Sequence, residues 1–208
     1  MKMAMAALCA TAMLGASAQA NVLANAGFED TDLMGNPDTY GAAGWTAFDS
    51  AFTVDGSTLT TGVFDGNQAL KMFGFGGVFQ DFAASEGQEW NGGVFMLNDS
   101  SDLMGAGQVA AVNIEWLDAG GNQISFISNG TFTGADAPVD EWVQKTVTGF
   151  APAGTATARL VLITGNFIDG PGGGAPHFDN AFFEVVPAPG SAALFAMGGL
   201  VASRRRRS

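Results

Sequence analysis

Along most of the chain, apolar and polar residues trade places at every second position. Val112, Ile114 and Trp116 alternate with Asn113 and Glu115, which sends one set of side chains to each face of a strand. Residues 157–163 form a run of β-branched and apolar residues punctuated by Arg159. The stretches 22–28, 45–48, 69–73, 78–82, 92–97, 123–127, 142–150 and 178–185 read as further strands, about ten in all. Outside the two chain ends, no helical spacing of apolar residues outlasts a turn or two. Asp118-Ala119-Gly120-Gly121-Asn122 joins two strands as a hairpin, because Gly and Asn accept the positive φ such turns demand. Many short strands and glycine-rich corners predict an all-β, antiparallel β-sandwich in one domain, without an internal repeat or linker.

The two ends break this pattern. Lys2 precedes an apolar run over 3–14 and then Ala18-Gln19-Ala20, the order of a secretory signal peptide spanning 1–20. The small Ala18 and Ala20 suit signal peptidase, so the mature chain is expected to start at Asn21. At the other end Val186-Pro187-Ala188-Pro189-Gly190 leads into thirteen uncharged residues, 191–203, and then Arg204-Arg205-Arg206-Arg207. The Pro and Gly cluster stops the strand before it, and the arginines hold their end on the cytoplasmic side. Thirteen helical residues reach about 20 Å, short of the ~30 Å hydrocarbon core. Transient insertion followed by processing therefore fits this tail better than a permanent span, which would need 188–202 and snorkelling flanks. The expected layout is an N-terminal signal helix, a sandwich over 21–185, and a tail over 186–208 that carries a short apolar helix.

Setting the ends aside changes the charge picture. Of the 8 cations only Lys71, Lys145 and Arg159 remain, against all 20 acids, a net charge of −17 for 21–185. Such a body repels phosphate backbones and anionic membrane faces, which excludes nucleic acid as a partner. The acidity is read either as attraction for calcium or as a solvated surface. The only cysteine, Cys9, lies in the signal segment, so the body has no disulfide, thiolate metal site or cysteine nucleophile.

The tail resembles the PEP-CTERM sorting signal of exopolysaccharide-producing Gram-negative bacteria in its proline motif, short apolar helix and arginine cluster, although the glutamate of the commonest motif is missing. The resemblance implies export across the inner membrane, cutting near Pro187, Ala188, Pro189 and Gly190 by an exosortase-like enzyme, and a place on the cell surface or in the extracellular matrix.

A second resemblance runs through the body. Asn25-Ala26-Gly27-Phe28-Glu29, Gly44-Trp45, Gly66-Asn67-Gln68-Ala69-Leu70-Lys71, Val78-Phe79-Gln80, Gly87-Gln88-Glu89-Trp90, Ile114-Glu115-Trp116-Leu117-Asp118-Ala119 and Phe178-Asp179-Asn180 stand in the order seen in galactose-binding-like jelly rolls. The sequence is similar in particular to modules of carbohydrate-binding families 4, 9 and 22, with Trp90 and Asn180 as departures. The resemblance implies a structural Ca²⁺ held by Glu29 and Asp179, with Asp65 and Asn67 completing an oxygen shell of the kind calcium takes. It also implies that Trp45, Phe79, Trp90, Trp116 and Trp142 pack in the core.

Sugar rings are held by aromatic faces and by amides and carboxylates. Tyr40, Phe75 and Phe167 stand in irregular, glycine-rich segments, where function concentrates, and Asn166 and Asp169 flank Phe167 as polar partners. These five are the candidate ligand-binding residues for an extracellular polysaccharide. Asn98-Asp99-Ser100-Ser101-Asp102 lacks the alternation of a calcium loop and reads as a solvated turn. His177, the only histidine, reads as a surface or hydrogen-bonded residue, and no serine-triad frame accompanies it. The expectation is a non-catalytic, carbohydrate-binding surface protein. A structural matrix protein without a specific ligand is the alternative, and a polysaccharide-acting enzyme is the weaker third.

Overall fold

The computed structural model describes residues 20–187; the signal-peptide and sorting-tail expectations on 1–19 and 188–208 lie outside them. The strands are β1 (Asp38–Tyr40), β2 (Thr46–Asp55), β3 (Gln68–Ala83), β4 (Glu89–Asn98), β5 (Gln108–Leu117), β6 (Gln123–Thr133), β7 (Val143–Phe150), β8 (Thr157–Asn166) and β9 (Pro176–Val186). Among the described residues the one helical element is a 3₁₀ turn, Gly56–Thr58, and all ladders are antiparallel. The hairpin at 118–122 forms as expected: Gly121 takes φ +79° and Asp118 N–H donates to Asn122 O at 2.9 Å.

The ladder order is β6-β5-β8-β3-β9-β4-β7, with β2 and then β1 on the other edge of β3. β3 divides this path into two layers. Gly76–Ala83 pairs with β8, whereas Leu70 and Lys71 pair with β9. Gly74 lies between, at φ +64°, a conformation glycine adopts without strain, and β2 follows the bend through a register shift between Asp49 and Ala51. The stretches 69–73 and 78–82, expected as two strands, are therefore one strand serving both layers.

Alternation then builds the core. Ala110, Val112, Ile114 and Trp116 of β5 and Ala158, Leu160 and Leu162 of β8 point inward against Leu70, Met72, Val94, Met96, Phe178 and Phe183 of the other layer, all of them buried. Burial of each large side chain contributes about 1.5–3 kcal/mol. The far edges meet as well: a Cβ on Gly149 of β7 would contact Ile127 of β6 and Trp116.

Residues 22–28 are not a strand. Asn25 and Phe28 sit at φ +47° and +61°, which interrupts any ladder. Two isolated backbone bonds to β9, Val22 N–H to Phe183 O and Ala181 N–H to Ala26 O, hold the segment together with side chains, Gln80 bonding both Ala24 N–H (3.0 Å) and Ala24 O (2.8 Å) and Phe28 buried beside Trp45.

Three other expectations are corrected. Phe79 is not in the core but lies on the outer face of the first layer, beneath Arg159. His177 is buried at 2% exposure, and its Nδ1 has no partner. The 98–102 segment is a built cap rather than a solvated turn: Asp99 is fully buried and accepts bonds from Thr60 N–H (2.9 Å), Thr60 Oγ1 (3.0 Å), Ser101 N–H (2.9 Å) and Ser101 Oγ. Burial works against the Asp99 charge, but the bonds from Ser101 and Thr60 outweigh it and hold the carboxyl below its ordinary value.

Candidate functional site

The register that sends Ile114 and Trp116 inward sends Val109, Ala111, Asn113 and Glu115 outward. β6 continues that outer face with Gln123, Phe126, Ser128, Thr131 and Thr133, β8 adds Ile163, and the segment leaving β8 adds Phe167 and Ile168. Together they line a cleft of about 550 Å³. Its size is that of a small-molecule site, and its mixture of apolar walls and few polar groups is the usual composition of one.

One end of the cleft is aromatic. Phe167 folds back over Gly165, where a Cβ would come within 2.5 Å of the ring, so glycine is what lets the ring lie there. Phe75 meets Phe167 edge-on at 6.2 Å, and Phe48 meets Phe75 at 6.0 Å. Even so, Phe75 and Phe167 remain 51% and 52% exposed, an unusual degree of exposure for neighbouring phenyl rings, while a third exposed ring, Phe126 at 59%, stands opposite Glu115 in the β5–β6 register.

The other end is polar. Arg159 donates to Asp81 through Nε (2.6 Å) and Nη2 (2.9 Å), its Nη1 lies 3.8 Å from Glu115 Oε2, and its guanidinium stacks 3.9 Å above Phe79. Desolvation raises the Glu115 pKa from its ordinary value; the Arg159 charge opposes the rise and the Asp81 charge adds to it. Next to Glu115 on the outer face of β5, Asn113 Oδ1 is buried without a hydrogen-bond partner, which costs free energy until a donor arrives.

Of the five residues expected to bind ligand, Phe75 and Phe167 come together. Asn166 ends β8 with its side chain against Gly107 and Gly172, and Asp169 is exposed beyond Ile168; neither lines the cleft. Tyr40 belongs to a different region, edge-on to Phe52 at 5.6 Å, beside a depression of about 380 Å³ that it lines with Thr31, Asp32 and Trp45. Asn113, Glu115, Phe126 and the β6 hydroxyls were not singled out from sequence. The signal was present in the polar half of the 112–116 alternation, but its partner strands were needed to show that this half faces a cleft.

The four residues expected to hold calcium also come together. Glu29 accepts from Asn67 N–H (Oε1 and Oε2, both 3.0 Å) and Gln68 N–H (2.9 Å), and Asp179 accepts from Phe64 N–H (2.9 Å), Asp65 N–H (3.0 Å) and Asn180 N–H (2.6 Å). Burial pushes Asp179 up to about 6, the backbone donors pull it down, and the charge of Glu29 adds to the rise. Among the described residues no three His, Cys, Asp or Glu side chains gather at metal-binding geometry. Of the expected processing residues, Ala20 and Pro187 are exposed, while Ala18, Ala188, Pro189 and Gly190 lie outside the described residues.

No family model matches the chain, and no curated protein matches it in sequence. Solved structures do share its architecture. A carbohydrate-binding module, TmCBM61, solved with β-1,4-galactotriose, superposes with a TM-score of 0.52 at 14% identity, over 80% of this chain and 99% of that one. The fold is the jelly-roll sandwich of carbohydrate-binding modules. The CBM22-1 xylan-binding domain of Paenibacillus barcinonensis Xyn10C shares it with a TM-score of 0.50 at 15% identity, over 78% of this chain and 92% of that one. The jelly roll also aligns with part of an enzyme, the arabinose-bound MgGH51 α-L-arabinofuranosidase, with a TM-score of 0.51 at 15% identity, over 82% of this chain but 27% of that one.

Proposed function

We propose that this chain is an exported, non-catalytic jelly-roll module that binds a glycan chain in the cleft on the outer face of β5, β6 and β8. The observation that carries this reading is the cleft itself, open to solvent, with an exposed phenyl ring towards each end, Phe167 and Phe126, and hydroxyls, two amides and a carboxylate along its floor. A sugar ring presents an apolar CH face and a rim of hydroxyls. Phe167, Phe75 and Phe126 suit the first, while Gln123, Ser128, Thr131, Thr133, Asn113 and Glu115 suit the second. The galactotriose and xylan ligands of the two modules that share the fold support a sugar polymer as the class of ligand.

In the same reading, signal peptidase removes 1–20, and an exosortase-like enzyme cuts the transiently inserted tail near 187–190. That delivers the sandwich to a polysaccharide-coated surface or matrix. Calcium, if bound, is held by Glu29 and Asp179 with the oxygen atoms of Asp65 and Asn67. The fit is chemical: two hard carboxylates lie within electrostatic reach of each other, and neither is ion-paired among the described residues, so a divalent cation would offset their repulsion and tie the start of the domain to β9. Affinity electrophoresis of the parent and a Phe167→Ala variant in gels containing galactan or xylan tests the site. The parent is expected to be retarded and the variant to migrate freely; equal migration of the two rejects the cleft as the binding site.

A further inference from the structure

If the cleft is the glycan site, its charges define which glycans enter. A chain bearing uronic acids would need an unengaged cation, ideally an arginine fork, to receive its carboxylates. Arg159, the one cation beside the cleft among the described residues, is already committed: two of its nitrogens hold Asp81, a third faces Glu115, and its plane lies on Phe79. The other two cations among the described residues are engaged elsewhere, Lys71 with Asp102 at 2.9 Å and Lys145 over the Phe132 ring at 5.7 Å. What the floor does present is a half-buried carboxylate, Glu115, next to Asn113, whose Oδ1 lies buried without a donor to offset the local negative charge. Its remaining polar groups, Gln123, Ser128, Thr131 and Thr133, are uncharged.

We propose that this floor is a charge filter: the cleft admits neutral glycan chains and turns away acidic ones, with Glu115 repelling an incoming carboxylate and Asp81 keeping Arg159 from receiving it. Hydroxyls of a neutral sugar donate to Glu115 without bringing a charge to the floor. A uronate instead places a second negative charge beside Glu115 in a site already stripped of part of its water, where like charges repel more strongly than in bulk solvent. The Asp81-held Arg159 is thus a specificity-determining element, acting by being occupied.

The test is affinity electrophoresis of the purified protein at low ionic strength, in gels containing galactan, xylan or polygalacturonate, with Glu115→Gln, Asp81→Asn and the double variant alongside. The parent is expected to be retarded by a neutral polymer and not by polygalacturonate. Each single variant should raise the ratio of acidic to neutral retardation, and the double variant should raise it by about tenfold or more. Both substitutions fall on partly exposed side chains, 43% at Asp81 and 25% at Glu115, and a thermal melt of each variant checks that it folds. A parent held by polygalacturonate as strongly as by galactan overturns the filter alone, as does a double variant whose ratio does not move. A protein retarded by neither neutral polymer overturns the glycan reading on which the filter rests.

Discussion

The two outer faces of this sandwich start from the same material and end differently. On β4 and β9, Phe95, Leu97, His177 and Asp179 point away from the main core, yet the chain returns to cover them. Val54, Leu59, Ala69 and Leu97 form a second buried cluster with Val63 and Trp142 packed on it. Phe64 stacks on Phe95 at 3.7 Å, and Trp142 Nε1–H donates to Gly62 O at 3.1 Å. On β5, β6 and β8 only the start of the segment leaving β8 folds back among the described residues, with Phe167 and Ile168, and the outward residues line an open cleft. The difference lies in the connections. The 56–67 and 98–107 segments are long and carry apolar residues and cap carboxylates, whereas β5 and β6 are joined by a five-residue hairpin that cannot reach back. A face left uncovered by short connections keeps its aromatic side chains available to a ligand.

The covered face should therefore respond in stability and the open face in binding. The largest effect is expected from Leu97→Ala, at 0% exposure, which removes side-chain volume from the second cluster and should cost about 2–5 kcal/mol in denaturant unfolding. A cost under about 1 kcal/mol would show that the 56–67 segment does not pack there.

His177, on the same face, comes next. Burial, with the Lys71 charge adding to it, lowers its pKa from 6.5 to about 4. A depressed imidazole pKa means the unfolded chain binds the proton more tightly, so this contribution is complete above pH 6.5 and is lost as pH falls towards 4, by up to about 3 kcal/mol. Asp179 opposes it: its raised pKa weakens the fold as pH climbs from 3.8 to about 6. His177→Gln should accordingly convert the pH-stability curve between 4 and 6 into one that falls with rising pH; an unchanged curve would contradict the buried neutral imidazole.

On the open face Phe167→Ala should lower glycan affinity about tenfold or more while shifting stability by less than about 1 kcal/mol, as isothermal titration and a melt would show. A large loss of stability would mean the ring is packing rather than platform. The smallest effect is expected from calcium. Chelation should lower the melting temperature by a few degrees through loss of a folded-state ligand, and an unchanged melt would show that no calcium is held there.

The fold was largely legible in the sequence, because the period-two alternation of residues such as Ile114 and Trp116 needs no partner to be read. The site was half legible. Phe75 and Phe167 stand out as aromatics among glycines, but Asn113 and Glu115 look like ordinary solvent-facing strand residues until β6 lies beside them. Phe79 and His177 misled for a related reason: residue type indicates burial only on average, and here Arg159 shields a surface phenyl while the 98–104 segment seals a histidine.

Chemical-shift mapping of the ¹⁵N-labelled protein during titration with galacto- or xylo-oligosaccharides compares both faces in one measurement. Perturbations are expected at Asn113, Glu115, Phe126, Ser128 and Phe167, with Leu59, Phe64 and Leu97 unmoved. Perturbations centred on the covered face, or around Tyr40 and Trp45, would place the glycan outside the cleft.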